Sequence, residues 1–267
     1  MSAPAAAPMT SRAAQDLILR LLADGPFRAA ALSGTDATGR DVAAVLARVD
    51  RGGLDRFGRF LCRHYYRERV VHYFRYSRAL SPLTRRAPES VLKTAEFNAL
   101  MPALTLGERK SARSVLDLLH RHLTRDADPI RASLPYWDDL VTYQSLFFLT
   151  DALPPERAVA PFPARAGTAT VAEFGWDLPV VLPLLLRPFR EAPPASRRSI
   201  RLLFARSPHG EVTAIRCTDA LRDLLEALTG REDPAQVAAR MRLESGAFDA
   251  TLRRLEELGA VASPGPR

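Results

Sequence analysis

The sequence of 267 residues predicts an α+β fold, in which a mainly helical N-terminal domain precedes a small winged-helix-like module. Up to about residue 150, apolar residues recur at steps of three and four, the spacing of amphipathic helices. After residue 199, two short β-type runs precede three helical patterns, and prolines crowd the segment before them. These features predict four regions: a disordered arm (1–11), a helical domain (12–150), a Pro-rich connector (151–198) and a module (199–263) built from an antiparallel hairpin or three-stranded sheet with three helices.

The helical domain is predicted as a series of amphipathic runs. The first, "AAQDLILRLLADG", stops at Gly25, and the second, "GRDVAAVLARVDRGG", stops at a double glycine. A long helix follows over 54–80 and ends at Pro82. Three later runs share the same periodicity: "ESVLKTAEFNALMPAL", "GERKSARSVLDLLHRHL" and "YWDDLVTYQSLFFLTDAL". The last run is apolar enough to be a central core helix.

The C-terminal module is predicted to begin with a hairpin, because "SIRLLFAR" and "EVTAIRC" are joined by the turn "SPHG". Thr218 and Asp219 can cap the next helix, Pro234 suits the first position of a second helix, and Ser245 can cap a third. The tail "AVAS" can add a short last strand. A third strand of the hairpin sheet is expected from "VVLPLLLR" or from the tail.

The basic balance of the chain favours acidic partners only weakly. The net charge is +8 and the pI is near 10.1, which would also attract nucleic acid. Lys93 and Lys110 are the only lysines, so nearly all of the positive charge comes from arginine. A genome of biased composition would also produce such an excess of arginine. Nucleic acid and membrane are therefore not the expected partners.

Cysteine usage and apolar runs indicate a cytoplasmic protein. Cys62 and Cys217 are the only cysteines, which excludes a disulfide framework and a CxxC zinc or redox site. The start "MSAPAAAPMTSRAAQD" lacks the order of a signal peptide. The most apolar run, 178–189, is too short to span a bilayer and contains prolines.

No arrangement of catalytic residues is predicted. The sequence contains no G-x-S-x-G, Walker, GxGxxG or HExxH motif. The adjacent carboxylates Asp138 and Asp139, like Glu256 and Glu257, point in different directions on a helix. We therefore expect a chain that is not an enzyme, with no catalytic residue and no cofactor of its own.

The stretch "RFLCRHYYRERVVHYFRYSRAL", residues 59–80, crowds aromatics and arginines around one helix. Apolar residues on all sides indicate burial on more than one side. Tyrosine, phenylalanine and arginine are also enriched where proteins meet, so we predict a core helix that docks a partner as well. Nucleic-acid binding is the third alternative. The predicted partner-binding residues are Arg63, Tyr65, Tyr66, Arg67, Phe74 and Tyr76.

The same helix offers one metal-ligand pattern. His64, Glu68 and His72 recur at four-residue steps on one face, and such side chains ligate zinc or iron. Three ligands spread along one straight helix span roughly 12 Å, so the triad cannot converge on one ion. No metal site is predicted, and the histidines are expected to be hydrogen-bonded core or surface residues.

The predicted hairpin suggests a binding surface at its outer edge. DNA-binding winged helices usually carry their hairpin after the recognition helix, whereas here the hairpin comes first. A leading hairpin suits strand addition, in which an extended peptide pairs with the sheet edge. The edge 211–217 and the helix 246–258 are expected to form the groove, unless their side chains merely close the core. The predicted peptide contacts are Val212, Ala214, Arg216, Phe248, Leu252 and Arg253.

Several segments in order resemble a known family. These are the stretch 59–80, then "PYWDDLVTYQ", then "RLLFARSPHGEVTAIRCTDALRDLLEALTGREDPAQVAARM" with "LRRLEELGAV". Together they resemble partner subunits of multinuclear non-heme iron oxidative enzymes, of the methanobactin biosynthesis C type. The C-terminal part is similar to the small PqqD-like modules that recognise peptides during the maturation of ribosomally made natural products. Gln144 departs from the pattern, since an acidic residue is expected there.

The resemblance implies a function for the whole chain. Iron and catalysis would belong to a separate enzyme, held by this subunit in a heterodimer, and the module would capture the leader of a precursor peptide. A DNA-binding transcription regulator using the winged-helix-like module is the alternative.

Overall fold

A computed structural model describes residues 10–34, 39–154, 160–187 and 191–264. The α+β fold class is confirmed: the described chain is mainly helical and carries small antiparallel sheets of two and three strands. The chain divides into two compact units, Met1–Arg69 with Glu89–Leu118, and Val70–Pro88 with Leu119–Arg267. The predicted arm, 1–11, lies largely outside the described residues, and the first helix begins at Ser11.

Within the described ranges, ten α-helices precede the first strand, and short 3-10 helices lie at Pro88–Lys93 and Met101–Ala103. The ten helices are α1 (Ser11–Ala23), α2 (Gly25–Ser33), α3 (Arg40–Leu46), α4 (Arg51–Tyr73), α5 (Arg75–Ala79), α6 (Ser81–Thr84), α7 (Ala95–Leu100), α8 (Arg109–Thr124), α9 (Asp128–Ser133) and α10 (Trp137–Asp151).

Two predicted helix ends are wrong, and a third is confirmed to within two residues. The first helix ends at Ala23, just before Gly25, but Gly25 also begins α2, because Asp24 caps α2 by accepting a hydrogen bond from the Phe27 amide at 3.0 Å. The double glycine lies in the first turn of α4 rather than after a helix. The predicted helix over 54–80 is broken at Phe74, whose backbone leaves the helical region, and Pro82 lies in the first turn of α6.

The first unit contains a small apolar core and one buried arginine. Leu21 and Ala31 anchor the core, which α3 completes. Arg28 is 2% exposed, and its guanidinium donates to the backbone carbonyls of Leu21 and Leu22, both at 3.1 Å. It also donates to the Asp55 carboxylate at 3.3 Å, so a buried cation gains both an ion pair and neutral acceptors.

The strands and later helices follow α10. They are β1 (Ala164–Arg165), β2 (Thr170–Phe174), α11 (Leu178–Leu185), β3 (Ile200–Arg206), β4 (Val212–Arg216), α12 (Asp219–Ala227), α13 (Pro234–Arg240), α14 (Ser245–Glu257) and β5 (Val261–Ala262). The predicted hairpin of β3 and β4 and the three helices after it are confirmed. Thr218 caps α12 as expected, whereas the cap of α14 is Glu244 rather than Ser245.

The predicted origin of the third strand is wrong. The sheet has the order β2-β3-β4, so its third strand comes from 170–174, inside the predicted connector. The run "VVLPLLLR" contributes to helix α11 instead, since nearly continuous apolar residues occur in buried strands and buried helices alike. The tail does add a strand, but β5 pairs with β1 in a separate two-stranded sheet.

The sheet of the second unit is covered on both faces. One face, which includes Leu203 and Ala205, packs with α12, α13 and α14 in a single apolar cluster. On the other face Phe204 contacts two rings of α10, with centroid distances of 5.6 Å to Tyr143 and 5.3 Å to Phe147. Helix α10 was predicted as the core of the helical domain, and it is a core helix that also covers this sheet.

A buried amide shapes the region around the helix break. Gln144, fully buried on α10, accepts hydrogen bonds from the amides of Tyr76 and Ser77 at 3.0 and 3.1 Å. Its amide nitrogen donates to the Ser77 hydroxyl at 2.6 Å and to the Leu140 carbonyl at 3.1 Å. The first amides of α5 are thereby satisfied by a side chain of another helix.

None of the helices in the described ranges is sufficiently long and apolar to cross a bilayer.

Candidate functional site

The outer edge of β4 carries backbone groups that point away from the sheet. The Cys217 amide donates to the Arg201 carbonyl at 2.9 Å, and the Ser207 amide donates to the Glu211 carbonyl at 2.8 Å. In an antiparallel ladder, hydrogen-bonded pairs alternate with pairs that are not bonded to each other. The register therefore directs the odd-numbered residues of β4 toward β3 and the backbone groups of Val212, Ala214 and Arg216 outward.

This outer edge has no strand beside it within the described ranges. The sheet order ends at β4, whereas β3 is paired on both sides. Each residue of β4 is at least partly accessible, and Arg216 is exposed, whereas Leu202–Ala205 of β3 are buried. An edge of this kind offers a row of N–H and C=O groups to another extended chain.

The six predicted peptide contacts do not form one surface. Side chains in a strand alternate between faces, so Val212, Ala214 and Arg216 lie on the face covered by α10. Phe248 and Leu252 belong to the cluster on the opposite face and are 2% and 9% exposed. These two close the core of the module, as the alternative reading expected, and cannot offer the predicted apolar contacts.

Arg253 lies exposed on α14. The predicted groove between 211–217 and 246–258 is corrected for Phe248 and Leu252, which belong to the core, and a cavity lies on the other face of the sheet.

That cavity has a volume of about 230 Å³ and lies beside Val212. Its walls come from the end of α4, the start of α5, helix α10 and strand β4. The lining residues are His72, Tyr73, Arg75, Tyr76, Tyr143, Phe147 and Val212. All of them belong to the second unit.

Aromatic contacts hold the cavity walls in place. The rings of Tyr143 and Phe147 lie 5.0 Å apart at their centroids, and those of His72 and Tyr73 lie 4.6 Å apart, edge to face. Arg75 sits 4.9 Å from the centroid of the Tyr76 ring and donates to the Tyr76 hydroxyl at 3.0 Å. The cavity thus combines aromatic rings with a guanidinium and phenol groups.

The Tyr143 phenol and the Arg75 guanidinium of the cavity are hydrogen-bond donors. Burial raises the pKa of Tyr143, and the Arg75 charge opposes that rise, so the phenol stays protonated at neutral pH. No carboxylate in the described residues lies within ion-pair distance of Arg75. On the same face of the sheet, Asp177 accepts hydrogen bonds from Arg216 at 2.8 and 3.0 Å.

The six predicted partner-binding residues divide between buried and accessible positions. Tyr66, Phe74 and Tyr76 are 1%, 0% and 8% exposed and are core residues. Arg63 and Arg67 are exposed and Tyr65 is half-buried, all three in the first unit. The prediction of a helix that is both core and surface is confirmed for burial, and docking stays a prediction.

An exposed aromatic stack on α4 was not predicted from the sequence. Phe57 and Phe60 are 50% and 58% exposed, with ring centroids 6.1 Å apart. His64 continues the stack at 6.0 Å from Phe60. Their spacing of three and four residues was visible in the sequence, but it does not distinguish an exposed stripe from a buried one.

Neither cysteine thiol has the lowered pKa of a reactive nucleophile. Burial raises the pKa of Cys62 to about 11, against the opposing charges of Arg28 and Arg63. Burial also raises the pKa of Cys217. Both thiols are therefore protonated at neutral pH, the less nucleophilic form. Within the described ranges, no cluster of three or more His, Cys, Asp or Glu side chains could hold a metal ion.

No family model and no curated protein matches the chain.

Proposed function

We propose that the chain is a non-catalytic partner subunit that captures an extended peptide by strand addition at the outer edge of β4. The peptide would be the leader of a ribosomally made precursor, and the chemistry would belong to a multinuclear iron enzyme bound as the other half of a cytoplasmic heterodimer. The observation that carries the proposal is the row of outward backbone groups at Val212, Ala214 and Arg216, which have no strand partner in the described residues.

Two further features support peptide capture. The edge strand is held by a sheet packed on both faces, so a docked chain would meet a rigid template rather than a loose hairpin. A cavity lies on the same face as the side chains of Val212 and Ala214, where alternate side chains of the added strand would enter. Backbone pairing would supply affinity and the cavity would supply selectivity.

Peptide capture is tested with a random-peptide phage library selected against the full chain. The enriched peptides are then measured by fluorescence anisotropy against the native protein and Ala214→Pro. Proline removes an outward N–H and leaves the ladder to β3 intact, so we expect binding to fall at least about tenfold. Ala214→Ser keeps the N–H and serves as the matched control. Equal binding to both variants would overturn the proposal.

Docking of the enzyme is proposed for the exposed aromatic stack of Phe57, Phe60 and His64, with Arg63 and Arg67 on the same helix. Exposed aromatics next to arginines are typical of the centres of interfaces. The test is to sequence the adjacent genes and to co-express the chain with any non-heme iron enzyme that they encode. We expect Phe60→Ser to abolish co-purification without lowering the thermal stability of the chain alone. Unchanged co-purification would move the interface elsewhere.

The DNA-binding alternative draws support from the net charge of +8. Several arginines of the module are already neutralised, since Arg222, Arg240 and Arg254 each lie 2.8 Å from a carboxylate. Phosphate contacts need unneutralised cations and weaken steeply with salt. Salt-dependent binding to DNA from the chain's own promoter would favour this alternative over peptide capture.

A further inference from the structure

We infer that the cavity beside Val212 is a subsite for an acidic side chain, so that the captured peptide carries an aspartate or glutamate at the position that pairs beside Val212. The inference rests on the proposed function, because it places the acid on a strand added to β4. It goes further by specifying the chemistry of the peptide.

The position of the acid follows from the pairing geometry. Side chains of neighbouring strands that lie beside each other share one face of the sheet. Val212 directs its side chain to the face that α10 covers, and it lines the cavity there. A residue added beside Val212 therefore directs its own side chain into the same cavity, whichever direction the added strand runs.

The chemistry of the acid follows from the polar groups in the cavity. Arg75 supplies a guanidinium, and it donates to the Tyr76 hydroxyl, which leaves the hydrogen of that hydroxyl available to a ligand. Tyr143 supplies a second phenol, from α10. These groups are donors and no carboxylate lines the cavity, so the complementary group is an acceptor with negative charge.

The acids around this face do not compete for Arg75. Asp151 lies 3.6 Å from Arg206, the residue opposite Val212 in β3, and Asp177 pairs with Arg216. Both carboxylates therefore have arginine partners of their own. Arg75 forms no ion pair in the part of the chain that the structure describes, so its charge is available to a ligand.

The size and walls of the cavity favour a side chain over a larger ligand. Its 230 Å³ lies below the range of about 300–1,000 Å³ typical of sites for drug-sized molecules. The rings of Tyr73 and Phe147 can cover the methylene groups of a glutamate while its carboxylate meets the donors. Partial exclusion of water would strengthen that charged contact.

The test uses the tightest peptide from the library selection. Each Asp or Glu in it is changed in turn to Asn or Gln, and affinities are measured by anisotropy. We expect one position at which the amide weakens binding about tenfold, as loss of a charge-assisted hydrogen bond predicts. In Arg75→Gln that difference between acid and amide should vanish. Arg113→Gln, an exposed arginine of the first unit, is the matched control and should keep it.

The outcomes separate this inference from the proposed function. Enriched peptides without an acid, or acid and amide forms that bind equally while Ala214→Pro still abolishes binding, overturn the acidic subsite and leave strand capture standing. Binding that is insensitive to Ala214→Pro overturns strand capture itself. If Arg75→Gln weakens the acid and amide forms by the same factor, Arg75 acts on the fold rather than on the ligand, and the subsite is again overturned.

Discussion

The side-chain carbonyl of Gln144 accepts a hydrogen bond from the backbone amide of Tyr76 at 3.0 Å. This contact ties the middle of α10, whose Tyr143 lines the cavity, to the first turn of α5, whose Arg75 and Tyr76 line it as well. One buried amide therefore links two of the elements that form the cavity.

Replacing Gln144 with methionine should destabilise the protein strongly. Methionine has a similar shape but no acceptor, so the amides of Tyr76 and Ser77 would be buried without partners. We expect a loss of about 3 kcal/mol in the free energy of unfolding, measured by urea denaturation. Ser145→Ala, next along α10, should change stability by less than about 0.5 kcal/mol. Similar losses for the two variants would contradict this role of Gln144.

Removing Arg216 alone should destabilise the protein more than removing both partners of its ion pair with Asp177, because only Asp177 is buried. Asp177 is 4% exposed, whereas the Arg216 side chain is 52% exposed. Arg216→Met leaves a buried carboxylate without its cation, and we expect a loss of about 2 kcal/mol. The double variant Arg216→Met/Asp177→Asn should be more stable than Arg216→Met alone. A double variant that is less stable would show that Asp177 has support beyond Arg216.

Two glycines of α4 should respond oppositely to alanine. A Cβ at Gly58 would lie 2.5 Å from Nη1 of Arg28, which is buried and cannot move without losing its acceptors. Gly58→Ala should therefore cost about 2 kcal/mol in thermal or urea unfolding. A Cβ at Gly52 would meet the flexible tip of Arg56 at 3.3 Å and the Asp50 carboxylate at 3.4 Å, both of which can shift, so Gly52→Ala should be neutral or gain up to about 1 kcal/mol. Equal effects would mean that Arg28 has room to move.

Asp55 should make the stability of the first unit depend on acid pH. Burial opposes ionisation, but the Arg59 and Arg28 guanidinium groups hold the pKa of Asp55 below its ordinary value. A carboxyl with a lowered folded pKa stabilises the protein above its unfolded pKa, near 4, and loses that contribution as pH falls through the folded pKa.

The corresponding variant is Asp55→Asn. Partial exposure limits its loss to about 1 kcal/mol at neutral pH, and the difference from the native protein should shrink below pH 4. A difference that stays constant with pH would show that Asp55 acts through packing rather than charge.

Local rules predicted most of the C-terminal module. The turn "SPHG", Thr218 as a cap and Pro234 at a helix start act within a few residues, and each is found where the sequence places it. The third strand was missed because 170–174 lacks alternating hydrophobicity: Thr170 and Phe174 share one face and Val171 shares the other with exposed Glu173, so each face carries both polar and apolar side chains.

Only the backbone part of the candidate site could be predicted from the sequence. Pairing at β4 follows from the hairpin, so Val212, Ala214 and Arg216 were found from the sequence. Their neighbours were not, because Tyr143 and Arg75 reach the sheet through tertiary packing that leaves no spacing signal. Gln144 was read as a departure from an acidic pattern, yet its amide donates to Ser77 and Leu140, which a carboxylate could not do.

Hydrogen exchange at individual amides tests strand capture most directly. In the chain alone, the amides of Val212, Ala214 and Arg216 should exchange rapidly, while those of Thr213 and Ile215, which bond to β3, are protected. Saturation with a library-selected peptide should protect the first three as well. If these amides are already protected without peptide, or stay unprotected in the saturated complex, the outer edge of β4 is not where the peptide binds.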